Sequence, residues 1–324
     1  MTNNPLRFGR REAFGVGAGA LLSPLSIGAA QAATPRLGPA RPSFYRFQLG
    51  AFEVTTLLDG YVHTADPHQI FGENQDPAAV AALAEANFLP ADRLENSFTP
   101  VLVNTGSELV LFDTGNPAAR QPTAGNLLSA MAAAGYSADQ VDVVVLTHFH
   151  GDHIGGLMDG EQPRFPRAHY VANAREYDWW TADARLGTAA EGGAENVRAN
   201  VVPLAEKMSF VEDGQDVVAG ITAVAAYGHS PGHTAFHLES QGRRLLLWAD
   251  TANHFVLSVQ RPEWHVRFDM DKDAAIATRK RLFDMAATER LPVAGYHMPF
   301  PALGFVDRQG SDYRFVRASY QFNL

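Results

Sequence analysis

The sequence predicts an α/β fold built on two mixed sheets with helices outside. Three observations predict it. Strand-type and helix-type runs alternate in both halves of the chain, which a β-sandwich would not show. Residues 141–146 form a nearly unbroken, valine-rich apolar run, the mark of a strand buried on both faces. Metal-binding residue types follow four strand candidates directly, at the carboxyl ends where α/β folds build their sites.

The elements follow in order. Residues 35–42 are a linker containing Pro and Arg. Residues 51–58 read as a strand that Asp59-Gly60 ends in a turn. A helix is expected over 76–86, with Asp76 as cap, Pro77 in the first position and alanines filling the rest. Residues 100–104 and 108–112 pair as a hairpin across Thr105-Gly106, closed by Asp113-Thr114-Gly115. A helix over 123–134 ends at Gly135. The buried strand 141–146 then leads into Thr147-His148-Phe149-His150-Gly151-Asp152-His153. A short strand at 168–172 precedes a helical piece carrying Tyr177, Trp179 and Trp180.

The second half repeats the habit. Strand 221–226 leads to Gly228-His229-Ser230-Pro231-Gly232-His233, strand 245–248 to Asp250, and strand 293–296 to His297. The longest helix is expected over 271–288, with Ile276 and Phe283 seven apart on one face. A last strand is expected near 315–322. No internal linker or short repeat interrupts this order, so residues 33–324 read as one domain.

Composition narrows the chemistry. The chain has 324 residues, enough for one large core, with 46% hydrophobic and 19% charged residues. Its net charge is -9 and it has no Lys/Arg-dense stretch, which argues against a nucleic-acid partner. Cysteine is absent, so there is no disulfide framework and no thiolate site. Any metal must sit on imidazoles and carboxylates, which suit zinc, iron, manganese or cobalt.

Residues 1–32 read as an export signal. Arg7, Arg10 and Arg11 make a basic start, residues 14–30 a weakly apolar run, and Ala30-Gln31-Ala32 a small-x-small cleavage site. Arg10-Arg11 with Phe14 nearby resembles a twin-arginine signal, although Phe14 sits one place later than that pattern wants. The expectation is a mature chain from about Ala33, in the periplasm or secreted. No other segment looks transmembrane, so no stable membrane insertion is expected after processing.

The centre of interest is His148, His150, Asp152 and His153, at i, i+2, i+4 and i+5. That spacing does not fit one helix face. In a tight loop it lets two histidines converge on one point while the next two residues converge on another. Buried imidazoles and carboxylates need partners for every polar atom, and a metal supplies them. Zinc takes about four ligands per ion. The loop alone serves one ion or two. His229, Asp250 and His297 are the natural further donors.

Residues 148–153 with Gly155-Gly156 resemble the signature of the metallo-beta-lactamase superfamily, and residues 228–233 resemble its second metal motif. Asp250 and His297 resemble the last two ligands. The order and spacing of all seven are similar to the lactonase-like branch that includes the methyl parathion hydrolases. So are residues 109–115, 155–158 and 297–301. The resemblance runs from about Phe52 onward. It implies a four-layer αββα fold with two metal ions. His148, His150 and His229 would hold one ion, and Asp152, His153 and His297 the other. Asp250 would bridge both, together with a water or hydroxide. The position of Gly151 is variable in that signature, and relatives often carry a larger residue there. His233 resembles a supporting or helix-start residue.

The resemblance implies a metal-dependent hydrolase acting on lactones or aryl esters through a bridging hydroxide, with promiscuous phosphotriesterase activity. Asp152 and Asp250 are its catalytic carboxylates, and zinc is the leading metal, ahead of iron, cobalt or manganese. A dedicated organophosphate triesterase is the alternative, and beta-lactam hydrolysis ranks lower. The substrate would be a small hydrophobic ester, lactone or phosphotriester, and the protein a homodimer. Phe98, Trp179, Trp180, His254 and Phe255 are candidate pocket residues; core packing is an equal reading for each.

Overall fold

The computed structural model describes residues 40–319 and, ahead of them, residues 34, 36 and 38. The expected export signal, and the end of the strand expected over 315–322, lie outside the described residues.

Strands β1 (Phe44–Leu49) and β2 (Phe52–Leu57) pair antiparallel. Strand β3 (Gly60–Ala65) follows, then helix α1 (Pro77–Ala86), then β4 (Arg93–Phe98), which pairs with β3 as a separate ribbon. Asp76 caps α1 as expected, accepting from the Ala78 N–H at 2.8 Å, with Pro77 in the first turn. Strands β5 (Val101–Asn104) and β6 (Leu109–Phe112) form the expected hairpin, and Gly106 takes the left-handed backbone its turn requires, at φ 91°.

Helix α2 (Leu127–Ala133) starts later than the 123–134 expected. Gly125 at φ 80° breaks the run, and the Leu127 N–H is captured by the buried Asp59 carboxylate at 2.9 Å. The expected valine strand is β7 (Val143–Val145); the one-turn helix α3 (Gly151–Ile154) lies beyond it. Two short strands, β8 (Met158–Asp159) and β9 (Gln162–Pro163), precede β10 (His169–Asn173), α4 (Ala174–Thr181), α5 (Glu191–Asn200) and β11 (Met208–Val211). The first large sheet runs β1-β2-β5-β6-β7-β10-β11. Its pairs from β6 to β11 are parallel, so β6 and β7 deliver their carboxyl ends side by side.

The second large sheet keeps chain order: β12 (Asp216–Val218), β13 (Ile221–Ala225), β14 (Thr234–Ser240), β15 (Arg243–Ala249), β16 (Pro292–Gly295), β17 (Leu303–Gln309) and β18 (Asp312–Arg317). Helix α6 (Lys272–Glu289) connects β15 to β16, the parallel pair of this sheet.

Period-two alternation sorts the side chains into layers. Val110 and Phe112 of β6 face inward onto Phe236 and Leu247 of the second sheet, with the rings of Phe112 and Phe236 5.1 Å apart. Leu109 and Leu111 face outward, into a cluster with Met131 of α2 and Val197 of α5. Leu246 and Trp248 of β15 likewise pack outward on Leu282 and Phe283 of α6. The order is therefore helix, sheet, sheet, helix. Each fully buried Leu, Val or Phe contributes roughly 1.5–3 kcal/mol of apolar burial.

The buried stripe of α6 corrects the expected one. It comprises Ala275, Arg279, Leu282, Phe283 and Ala286, while Ile276 is only half-buried. Among the described residues, no helix is long and apolar enough to cross a membrane.

Candidate metal centre

The first sheet aims the histidine loop. Asp113 follows β6 with a left-handed backbone at φ 60°. Its carboxylate accepts from the Thr147 N–H at 2.9 Å and the Thr147 hydroxyl at 2.8 Å, and lies 2.8 Å from His153 Nδ1. One side chain thus fixes both ends of the loop. His150 stands at the N-cap position of α3, and the single helical turn carries Asp152 and His153. The second sheet supplies His229 after β13, Asp250 after β15 and His297 after β16.

Among the described residues, the donor atoms gather into His148/His150/His229, His148/His153/Asp250 and Asp152/His153/His297, each group within 4.8 Å. In the first, His150 Nδ1 lies 3.0 Å from His148 Nε2 and 3.0 Å from His229 Nε2. In the last, Asp152 Oδ2 lies 3.6 Å from His153 Nε2 and 3.4 Å from His297 Nε2. Asp250 faces members of both. Its Oδ2 is 3.3 Å from His229 Nε2 and 3.1 Å from His297 Nε2, and its Oδ1 is 3.3 Å from His153 Nε2. Asp250 is held by Asn253 Nδ2 at 2.9 Å and by its own N–H donating to His233 Nε2 at 3.0 Å.

The remote ring nitrogens are anchored, which turns the other nitrogen inward. His148 Nδ1 meets Thr147 Oγ1 at 3.1 Å, and His229 Nδ1 meets Asp269 at 2.8 Å. His297 Nδ1 meets the Ser97 carbonyl at 2.9 Å. Asp269 is in turn paired at 2.7 Å with Arg279, which has no solvent exposure.

The donor set fits a pair of divalent cations. His153 Nε2 and Asp250 Oδ1 are buried with no hydrogen-bond partner, a costly arrangement that a cation between them removes. The electrostatics agree. Burial, then the neighbouring imidazole of His153, holds His148 well below the usual histidine range. For His153, burial alone would lower the pKa, yet Asp250, Asp113 and Asp152 together push it well above. His229 is carried to about 9 against its burial by Asp250 and Asp269. The carboxylates therefore favour positive charge at His153, His229 and His297, while burial and the neighbouring imidazoles disfavour it on His148 and His150.

Of the expected pocket residues, Phe98 and Trp180 stand against imidazoles of the donor groups, at 5.6 Å from His297 and 6.1 Å from His150. Trp179 is half-buried, 4.7 Å from Trp180, under the Arg185 guanidinium. His254 packs on Phe71 at 5.4 Å and Phe255 at 4.9 Å. Its Nδ1 accepts from the N–H groups of Val256 and Leu257, and burial pushes its pKa to about 3. Phe255 sits with it beside Val256, Leu257 and Trp264. These two side chains serve the apolar cluster next to the Asp250 loop.

Asp269 and Arg279, which support His229, carry no signal in the sequence that marks them as parts of the site. Arg279 lies in the run Arg279-Lys280-Arg281, which reads as a solvated helix face. Asp113 is visible only as a member of the Asp113-Thr114-Gly115 turn, and Glu176 only as an acid on the helical piece that carries Trp180.

The chain belongs to the metallo-beta-lactamase superfamily, whose family model matches residues 99–292. It is 30% identical over 186 residues to a probable metallo-hydrolase of Mycobacterium tuberculosis, covering 48% of this chain and 56% of that one. The match thus spans little more than half of the mycobacterial relative. An N-acyl homoserine lactonase of Bacillus cereus is 23% identical over 208 residues, covering 61% of this chain and 76% of its own. Among solved structures, the dizinc quorum-quenching lactonase AidC, in complex with the product N-hexanoyl-L-homoserine, superposes with a TM-score of 0.78 at 26% identity. That superposition covers 86% of this chain and 98% of AidC. The hydrolase AbOPH superposes with a TM-score of 0.80 at 25% identity, covering 87% and 99%.

Proposed function

We propose that the protein is a dinuclear metal-dependent hydrolase of lactones, with aryl esters as further substrates and phosphotriesters as promiscuous ones. The observation that carries this reading is Asp250, which faces both donor groups at once from the end of a buried strand. The likeness to AidC supports the lactone assignment and favours zinc. Two divalent cations held by these donors would supply Lewis acidity and lower the pKa of coordinated water.

The chain's own groups do the rest. His148, His150 and His229 would hold one ion and Asp152, His153 and His297 the other, with Asp250 facing both groups. Asp152 is the more exposed carboxylate, at 21% against 3% for Asp250, and is placed to take up or pass the proton released on attack. The Tyr296 hydroxyl donates to the Asp152 backbone carbonyl at 2.5 Å and keeps that turn in place. Phe98 and Trp180 form apolar walls that receive a hydrophobic acyl or aryl group and exclude bulk water.

The test is a substrate panel on zinc- and cobalt-loaded protein: an N-acyl homoserine lactone, a simple aliphatic lactone, an aryl ester, a dialkyl aryl phosphotriester and a cephalosporin. The highest kcat/KM is expected on a lactone. A highest value on the phosphotriester would replace this reading with that of a dedicated organophosphate triesterase. Turnover of none of the five would overturn it.

We further propose that residues 1–32 are removed on export by the twin-arginine route, leaving residues 33–324 as a periplasmic or secreted, homodimeric enzyme. Intact mass of exported protein is expected to start near Ala33. Retention of Met1 would refute the processing.

A further inference from the structure

Glu176 lies on α4 with 1% exposure, and its carboxylate receives four donors. Oε1 accepts from the Phe149 N–H at 3.0 Å and the Trp180 indole N–H at 2.8 Å. Oε2 accepts from the Ser230 hydroxyl at 2.7 Å and the Gly232 N–H at 2.6 Å. Phe149 sits between His148 and His150, and Ser230 directly follows His229. One buried carboxylate therefore ties together the two loops that carry the three imidazoles of the first donor group. These loops come from different sheets.

The close approach is built in. A Cβ on Gly232 would lie 2.3 Å from the Glu176 backbone nitrogen, so glycine alone lets α4 sit against the second loop. Trp180, one helical turn on, brings its indole to the same carboxylate and its ring to His150. Three of the four donors are N–H groups that cannot accept. The position thus calls for a group that only accepts, and a carboxylate does so where a carboxamide would turn an N–H against a donor.

We propose that Glu176 is a positioning residue that sets the spacing of His148, His150 and His229, and thereby that group's affinity for its divalent ion. Through Trp180 it also fixes the adjoining substrate wall. The proposal rests on the dinuclear reading above. Its specific content is one-sided: loss of Glu176 weakens the three-imidazole site and spares the Asp152/His153/His297 site, whose anchors are Asp113 and Ser97.

Cobalt(II) titration of chelator-stripped, full-length protein tests this, followed by proton NMR of the paramagnetically shifted imidazole N–H signals. In the parent, two ions should bind. Nδ1–H signals of His148 and His229 should report the first ion, and those of His153 and His297 the second. In Glu176→Gln, first-site affinity should fall about 10–100-fold, as for other outer partners of metal ligands, with the second pair of signals retained. Two ions bound with the parent's affinities, or equal weakening at both sites, would overturn the proposal. If Glu176→Gln does not fold, Ser230→Ala decides. It removes one of the four donors and should weaken the first site alone, by a smaller factor; unchanged first-site affinity in that variant overturns the proposal. A parent that takes up one ion only would instead refute the dinuclear reading, before any variant is compared.

Discussion

Ser97 and His297 grip each other across 200 residues of sequence: the Ser97 carbonyl meets His297 Nδ1 at 2.9 Å, and the Ser97 hydroxyl donates to the next carbonyl, that of Met298, at 2.9 Å. The β4 end thus orients the last imidazole of the second donor group. Ser97→Ala keeps the carbonyl and removes the hydroxyl, leaving the buried Met298 carbonyl without that donor. A loss of about 1–3 kcal/mol is expected in urea unfolding. Affinity at the second metal site should fall with it, measured by metal titration.

Asp113 bonds His153 and both donors of Thr147. Asp113→Asn replaces an acceptor pair by one acceptor and one donor. Metal affinity is expected to drop about 10–100-fold, chiefly at the site that includes His153. Elemental analysis after dialysis against a weak chelator would show it; parent-like retention of both ions would refute it.

Asp250 is assigned to both ions. Asp250→Ala should lower metal occupancy and cut turnover by several orders of magnitude. A supporting carboxylate would cost roughly 10–100-fold. Metal content and turnover, measured per folded chain on one preparation, separate the two. Two ions retained with turnover near the parent's would remove Asp250 from the bridging role.

Chelation should also destabilise the fold. Five imidazoles and two carboxylates converge from both sheets, so a ligand that binds only the folded chain adds stability by mass action. The thermal midpoint should fall on adding a strong chelator and recover with zinc. An unchanged midpoint in stripped protein would argue that the two sheets hold this arrangement without metal.

Arg279 is buried without exposure and donates to Asp269 and to the carbonyls of Thr251, Pro262 and Trp264. Arg279→Met should cost about 3–5 kcal/mol, because Asp269 is left buried with its Oδ2 stripped of the guanidinium and only His229 Nδ1 as partner. Urea denaturation gives the number. Asp269→Asn with Arg279→Met together should cost less than the sum of the two single changes, since neither buried charge then remains alone.

Much of this architecture was legible in the chain. The valine run 141–146 announced a central strand, and the polar heptad after it could only sit at that strand's end. Asp76-Pro77 and Thr105-Gly106 marked a helix start and a turn through purely local chemistry. What stayed hidden depends on distant partners. Strand Thr234–Ser240 follows the second metal motif without a break and draws its identity from pairing with β13 and β15. The start of α2 is set by Asp59, 68 residues earlier in sequence. Arg279 reads as a surface base until Asp269 and three carbonyls close round it. Glu176 reads as one more helical acid until the two loops are brought to it.

The order of the ligands along the chain has a consequence for synthesis. Residues 148, 150 and 229 leave the ribosome well before residue 297. A nascent chain can complete the three-imidazole site while the second still lacks its final histidine. Residues 303–317, which pair as the closing strands β17 and β18 of the second sheet, emerge later still. The second donor group is thereby completed later in synthesis than the first, once the strands that pair beside His297 have emerged.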